Sequence, residues 1–407
     1  MKIAYVAGFA WEPKGTVRSR TFPLAAEMVR RGHEATIFIV PYDNPKYSGM
    51  EYTRDGVQIL NLQVPSKLSP AYAAIPGKLA GCVTSTSPDV VHVFKPKGFA
   101  GIALTKFLRH QIPVVLDCDD WEGWGGWNEV KKYPWLVKEF IDRQEQSLIK
   151  KVPVLTCASR VLTDRALQMG RDARDVFYLP NGISSQQLQL AGNLLRVPVA
   201  DRKKALGFGD APIILYAAHF DDEEDGELIC GAISQVASRH KITVALVGDG
   251  PRLSGMENVL QRTGAIVRNF GELSYEEYSS VLAASDIAVF PYRDTAIYRA
   301  KCSARIIDYM LYGKAVVTSA VGENNNYITH EENGLLIPHD NLSAFVHSLN
   351  RLLEGPSLRE KLGANARQRV LQKFLWSREL GNQCESAYRR VFEKILQTQV
   401  AANPICA

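Results

Sequence analysis

Lys301-Cys302-Ser303-Ala304-Arg305-Ile306-Ile307-Asp308-Tyr309-Met310-Leu311-Tyr312-Gly313-Lys314-Ala315-Val316-Val317 reads as a short helix running straight into a buried strand. Ser303 is placed to cap the helix start, and Gly313 to close its end in a left-handed conformation. Ile306, Ile307, Met310 and Leu311 form one apolar stripe at helical spacing, with Asp308 off that stripe. Arg299, Lys301 and Arg305 crowd the entrance. A helix start carries unpaired N–H groups and partial positive charge, so it attracts phosphate, and added cations strengthen the pull. The pattern predicts a diphosphate at the helix N-terminus and a carboxylate, Asp308, one turn further on for a ribose or sugar hydroxyl.

Outward from this stretch, both halves of the chain alternate strand and helix, which predicts parallel sheets. Strands are expected at Lys2–Ala7, Glu34–Val40, Val90–Phe94, Pro113–Asp117 and Val152–Cys157, with helices near Phe22–Arg31, Phe99–Arg109 and Leu136–Lys150. Leu179–Ile183 and the polar stretch after it look like a crossing between domains. Strands follow at Pro212–Ala218, Ile242–Val247, Ala265–Arg268, Asp286–Pro291 and Ala315–Ser319, with a capping box at Ser274 and Glu277. Helices are expected near 341–354 and 357–373. A last amphipathic helix, Trp376–Gln397, is long enough to reach back across the first domain. The expected division is an N-terminal Rossmann-like domain at 1–188, completed by 376–397, and a C-terminal one at 189–375.

The 407 residues suffice for two large cores. The chain is 46% hydrophobic and 22% charged, as soluble globular proteins are, and no apolar run approaches the ~20 residues that span a membrane. The start is too short and strand-like for a signal peptide. A net charge of +5 permits contact with an anionic membrane or substrate but does not point to nucleic acid. Seven scattered cysteines, without paired metal spacing, favour a reducing cytosol and no zinc site.

Several further residues carry chemistry, each against an ordinary alternative. Gly8 and Gly15 flank a strand-to-helix loop that suits close approach to phosphate or sugar; an ordinary turn is the alternative, and no dinucleotide fingerprint is present. Arg18 and Arg20 lie just beyond, as phosphate ligands or solvated surface. His92 ends an apolar strand, where open sheets bind ligands; a satisfied core histidine is the competing reading. Asp119 and Asp120 also end a strand and suit a sugar hydroxyl, or serve as caps. Trp121, Trp124, Trp127 and Trp135 fall within fifteen residues, and aromatic faces suit sugar rings or lipid interfaces. Lys131, Lys132 and Lys138 give that loop a basic-aromatic character consistent with a membrane surface. Gly248 and Gly250 read as a turn near a nucleotide base, and Glu323 and Asn324 as a turn beyond the next strand.

Together these residues resemble the GT-B glycosyltransferases, specifically the large retaining family 4. The likeness runs over about residues 1–395. Its motifs are Arg31-Gly32-His33-Glu34-Ala35-Thr36, Asp89-Val90-Val91-His92-Val93, Leu179-Pro180-Asn181-Gly182-Ile183, Val247-Gly248-Asp249-Gly250-Pro251, Asn269-Phe270-Gly271-Glu272 and Asn333-Gly334-Leu335-Leu336-Ile337. The resemblance implies two Rossmann-like α/β domains facing across a cleft, with the last helix crossing back. It also implies a retaining, hexosyl-type, metal-independent glycosyltransferase. The nucleotide-diphosphate sugar would be co-substrate without a further cofactor, and the acceptor a sugar, lipid or small molecule. The setting implied is cytoplasmic, in cell-envelope polysaccharide or glycolipid synthesis.

Departures from the family pattern bear on the chemistry. The family's carboxylate pair falls on Ala300 and Asp308, and Lys301-Cys302-Ser303-Ala304-Arg305 resembles a substitute some relatives carry. Where the family has Gly-Arg and then Lys-Gly on the donor diphosphate, this chain has Ala218-His219 and Asp225-Gly226. The usual active-site His is matched by Asp119, before Asp120. His92, Asp119 and Asp120 are thus the catalytic candidates. Gly15, Arg18, His219, Gly248, Gly250, Arg299, Lys301, Ser303, Arg305, Asp308, Glu323 and Asn324 are the donor-side candidates, and Trp121, Trp124 and Trp127 the acceptor-side ones. No metal ligand set is expected; Asp221, Asp222, Glu223 and Glu224 read as a solvated acidic loop. Two rival functions are a non-catalytic glycosyltransferase-like binding or scaffold module and a sugar-nucleotide epimerase.

Overall fold

A computed structural model describes residues 1–12, 15–220 and 226–402. The acidic loop of Asp221 to Glu224, and Asp225, lie outside the described residues. The chain divides into two compact units. The first comprises Met1–Ser184, the short segment Ala300–Cys302 and the stretch from Trp376 onward; the second comprises Ser185–Arg299 and Ser303–Leu375.

The first unit holds one eight-stranded sheet. Its strands are β1 (Lys2–Ala7), β2 (Glu34–Ile39), β3 (Glu51–Arg54), β4 (Val57–Asn61), β5 (Val90–Phe94), β6 (Val114–Cys118), β7 (Val154–Cys157) and β8 (Val176–Tyr178), in the order β3-β4-β2-β1-β5-β6-β7-β8. All pairings are parallel except β3 with β4. The central strands β1, β5 and β6 are almost wholly buried and mostly apolar, because both faces are covered. Along β1, Ile3, Tyr5 and Ala7 join one core with the helix Phe22–Arg30 and the C-terminal stretch. Ala4 and Val6 face the other core, with helices Ile75–Ser85, Gly98–Arg109 and Trp135–Lys151.

The final helix is not continuous from Trp376 as the sequence predicts. Arg378 has non-helical angles (φ −130°, ψ −107°), and the long helix begins at Gly381. Arg31 explains the break. Its guanidinium donates to the Arg378 carbonyl at 3.1 Å and to Asn382 and Glu385. A Cβ at Gly381 would lie 2.4 Å from the same guanidinium.

The second unit holds a six-stranded, fully parallel sheet of β9 (Ile213–Ala217), β10 (Thr243–Val247), β11 (Ile266–Asn269), β12 (Ile287–Phe290), β13 (Ala315–Ser319) and β14 (Leu335–Ile337), ordered β11-β10-β9-β12-β13-β14. Leu342–Glu354 packs on Gly226–Ala237, and Pro356–Lys373 on Ala304–Leu311. The last pair approaches so closely that a Cβ at Gly363 would sit 2.0 Å from the Gly313 carbonyl oxygen. The polar stretch after Ile183, expected as a crossing, forms two helices, Ser185–Arg196 and Val199–Ala205. No described helix is long and apolar enough to cross a membrane.

Candidate active site

In the second unit the deciding stretch folds as its spacing predicts. The helix is Ala304–Leu311; the Ser303 hydroxyl accepts from the Ile306 N–H at 3.5 Å, and Gly313 closes the turn at φ +65°. Asp308 is not simply off the apolar stripe: it is buried. Its carboxylate accepts a hydrogen bond from the Tyr275 hydroxyl at 2.9 Å, and Gln187 donates to that hydroxyl at 3.1 Å. Burial pushes the Asp308 carboxyl up to about 7, against the downward pull of Tyr275 and Arg305.

Of the three cations at the entrance, Arg299 and Arg305 have different partners. Arg299 pairs with Asp294 through both ends of its guanidinium, at 2.5 and 2.8 Å, on a half-exposed surface. Arg305 lies 5.0 Å over the Tyr278 ring. Lys301 belongs to the Ala300–Cys302 segment that counts with the first unit.

Gly248 and Gly250 stand at the end of β10 with φ of +131° and +153°. A Cβ at either would lie 1.8 Å from a carbonyl oxygen, that of Ala218 or of His219. Two strand-end loops are thus pressed together as only glycine permits. His219 is exposed beside them. Gly322 (φ +51°) brings its loop against the Arg299 carbonyl in the same way. Glu323 and Asn324 are buried, and the Asn324 amide donates to Thr318 Oγ1 and the Ser319 carbonyl at 2.9 and 3.0 Å. Asn324 is therefore occupied in holding its turn to β13.

In the first unit a polar chain runs beneath the strand ends. Arg20 forks onto Asp117 at 2.8 and 2.6 Å and donates to the Leu179 carbonyl and to Asn181. Thr156 donates to Asp117 at 2.6 Å. His92 has one ring nitrogen 3.2 Å from Thr156 Oγ1 and the other 3.0 Å from the Tyr388 hydroxyl. The Tyr388 hydroxyl also hydrogen-bonds the Tyr5 hydroxyl, at 3.1 Å. His92 is fully buried with both nitrogens engaged, and burial lowers its pKa to about 4. The expectation that His92 is catalytic is thereby corrected: it is a neutral core group. Arg20 is likewise structural. Arg18 is exposed, and Gly15 accepts from the Ser19 N–H and hydroxyl, both at 2.7 Å.

Above this chain, Asp119 and Asp120 meet Lys95. Lys95 follows β5 with φ +68°, rare for a residue with a side chain. Its ammonium lies 3.1 Å from Asp119 and 2.9 Å from Glu122, and it also pairs with Asp120. Lys97 pairs with Glu122 from the other side. Burial opposes the charge on Lys95, but the three carboxylates outweigh it and hold its pKa well above the ordinary value. Burial raises Asp119 to about 6, with Lys95 pulling it down and Asp120 pushing it up. Burial also works against Glu122, yet Lys95 and Lys97 bring it down to about 2. The expectation of no metal-like cluster is corrected in geometry, since oxygens of Asp119, Asp120 and Glu122 lie within 4.8 Å of one another. An ammonium already neutralises part of that charge. Arranged so, the cluster pairs a carboxyl poised near neutrality with a fixed cation, which suits orienting a hydroxyl and accepting its proton.

The tryptophan loop is sewn to the helix Trp135–Lys151. Glu145 accepts from the Glu122 and Gly123 N–H groups, and Asp142 from that of Trp124. Each ring the sequence offered to an acceptor carries a cation: Arg165 over Trp121 at 4.6 Å, Lys138 over Trp124 at 5.6 Å and Lys131 over Trp127 at 4.6 Å.

Comparison with known proteins adds to this geometry. Residues 15–182 match the family described as a glycosyl transferase 4-like domain, and residues 199–369 match the glycosyl transferases group 1. An uncharacterised glycosyltransferase of Methanocaldococcus jannaschii is 23% identical over 92% of this chain and 95% of its own. Sucrose-phosphate synthase of Thermosynechococcus elongatus superposes with a TM-score of 0.74 at 20% identity, over 97% of this chain and 99% of its own. HepE of Anabaena, solved in complex with UDP and glucose, superposes with a TM-score of 0.71 at 14% identity, over 95% and 99%.

Proposed function

Because the chain belongs to the group 1 glycosyltransferases, with a GT-B fold, we propose that it transfers a hexose from a nucleotide-diphosphate sugar, with retention and without a required metal. The observation that carries this reading is Asp308, a buried carboxyl one turn inside a Ser303-capped helix start and held by Tyr275. In this reading the diphosphate meets the helix start and Arg305, and Asp308 accepts from a ribose or sugar hydroxyl. The glycine turn at Gly248 and Gly250 gives the nucleotide a close backbone surface. Preorganised N–H groups and a cation stabilise the charge that develops on the leaving diphosphate. HepE, which has been solved with UDP and with UDP-glucose, supports a nucleotide sugar as donor. Retention rests on the resemblance to family 4.

In the first unit, Asp119 takes the acceptor hydroxyl, with Lys95 fixing its position. The carboxyl at about 6 is ionised at neutral pH and basic enough to draw a proton. The acceptor is a sugar, lipid or small molecule. A cytoplasmic setting fits the absence of any disulfide among the six described cysteines. The test is thermal stabilisation by UDP, ADP, GDP and dTDP, each in the presence of EDTA. At least one should raise the melting temperature, and Arg305→Ala should weaken that nucleotide by roughly 1.5–3 kcal/mol, the worth of one charge-assisted bond. If none of the four stabilises the protein, the donor reading fails.

A further inference from the structure

We propose that the turn and first helical turn at residues 129–140 form a docking tip for the anionic surface of a lipid bilayer. Nine consecutive residues, Glu129 to Val137, are exposed. Among them stand Val130, Tyr133, Trp135, Leu136 and Val137, with Phe140 one turn on; Trp135 is 63% and Leu136 74% exposed. The same helix buries Ile141, Glu145 and Leu148 in the unit's interior, so this apolar group is not a margin of the core. Soluble surfaces rarely gather so many large apolar side chains in one place without a partner.

Charge decides what the partner is. The acidic groups near the tip are engaged within the chain: Glu129, itself exposed, accepts from the Gly125 N–H at 2.9 Å, and Glu139 from Trp124 Nε1 and Arg143 at 3.2 and 2.7 Å. Lys131 and Lys132 are exposed, and neither forms an ion pair among the described residues. The outward face is therefore apolar and aromatic, with two lysines, Lys131 and Lys132, against one exposed acid, Glu129. A protein partner would need directed polar groups to set its register, and apart from two lysines the tip offers few. A fluid anionic interface needs no register. It accepts aromatic rings at headgroup depth, aliphatic side chains just below, and lysines against its phosphates. This inference goes beyond the proposed function and stands whether or not the chain transfers sugar. Asp142 and Glu145 tie the tip's helix to the loop of Asp119 and Glu122. A bilayer holding the tip therefore holds that cluster near the headgroups.

The experiment is co-sedimentation of the full chain with vesicles of phosphatidylglycerol and phosphatidylcholine, roughly 3:7, and with pure phosphatidylcholine vesicles. The protein should bind the anionic vesicles, much less the neutral ones, and release as salt shortens the Debye length. Lys131→Glu with Lys132→Glu should weaken binding by about tenfold or more, given roughly 1 kcal/mol per surface lysine. Trp135→Ser with Leu136→Ser should do so to a similar extent. Both variants should keep the wild-type melting temperature. Failure of the wild type to bind anionic vesicles overturns the proposal, as does undiminished binding by both variants. Self-association abolished by Trp135→Ser and Leu136→Ser, with no vesicle binding, would assign the tip to a second copy instead.

Discussion

A methyl group at residue 250 would sit 1.8 Å from the His219 carbonyl oxygen, on a backbone with φ +153°. The obstacle is main chain and cannot rotate away. Gly250→Ala should cost about 2 kcal/mol or more and reduce nucleotide-dependent stabilisation, read by thermal melts with and without nucleotide. Gly32→Ala is the control: φ is +87° but nothing lies within 4 Å, so only the backbone strain of about 1–2 kcal/mol is expected. Asp308 makes a pH-dependent prediction. Its carboxyl is raised by burial to about 7, so the folded chain keeps a proton that the unfolded chain gives up near pH 4. This group's stabilising contribution is complete below about pH 4 and declines as pH rises to about 7, by at most about 4 kcal/mol. Asp308→Asn should abolish the decline. The variant's melting temperature, relative to wild type, should be higher at pH 8 than at pH 5, while its response to nucleotide shrinks. An identical difference at both pH values would show that the carboxyl is ionised at little cost. Ser303, Asp308 and Gly313 were legible because their meaning lies within one helix. The pairing of Lys95 with Asp119, Asp120 and Glu122 was not, since those partners are 24, 25 and 27 positions away and its left-handed backbone leaves no sequence signal.

Among the elements, the C-terminal helix Gly381–Ala402 is joined to the first sheet by packing, by ion pairs of Arg390 and Lys394 with Asp175 at the start of β8, and by one hydroxyl. Tyr388 reaches both Tyr5 on β1 and His92 on β5. Tyr388→Phe should cost the first unit about 1 kcal/mol in urea unfolding, and more if His92 is left without a partner. The strands β1, β5 and β13 were read to the residue because each is built on a short run of mostly apolar residues. The hairpin of β3 and β4 was missed although Asp55-Gly56 joins them with φ of +48° and +78°, both left-handed, as a type I′ turn demands. Its edge position leaves β3 polar, so no apolar pattern marked it. The break at Arg378 depends on Arg31, far away in sequence, and no local signal announces it. Proximity along the chain suggested one cluster of Arg299, Lys301 and Arg305, but Arg299 pairs with Asp294, only five positions before it, and Arg305 lies over the Tyr278 ring.

For the whole molecule, the alternation of strand and helix was enough to foresee two parallel-sheet units, but not which residues each recruits. The first unit's core includes Trp376, Leu380, Cys384, Tyr388 and Val391, all nearly inaccessible. A chain ending at Leu375 should therefore lose the first unit's cooperative unfolding, exposing apolar surface that binds a hydrophobic dye. The second unit, whose residues are all present, should keep its own transition and its stabilisation by nucleotide. Calorimetry of the shortened chain checks this: survival of both transitions would mean the C-terminal stretch only decorates the first sheet.

The same arrangement has a consequence for synthesis. Domains ordinarily fold in the order in which they leave the ribosome. Here the first eight strands emerge, and then the whole second unit is made, before the segment that seals the first sheet exists. The seam beneath β6, β7 and β8 must stay open through that interval, wetted or shielded by a chaperone. The unit translated first is thus completed last, and nascent chains stalled between Ser185 and Leu375 should be the protein's most aggregation-prone form.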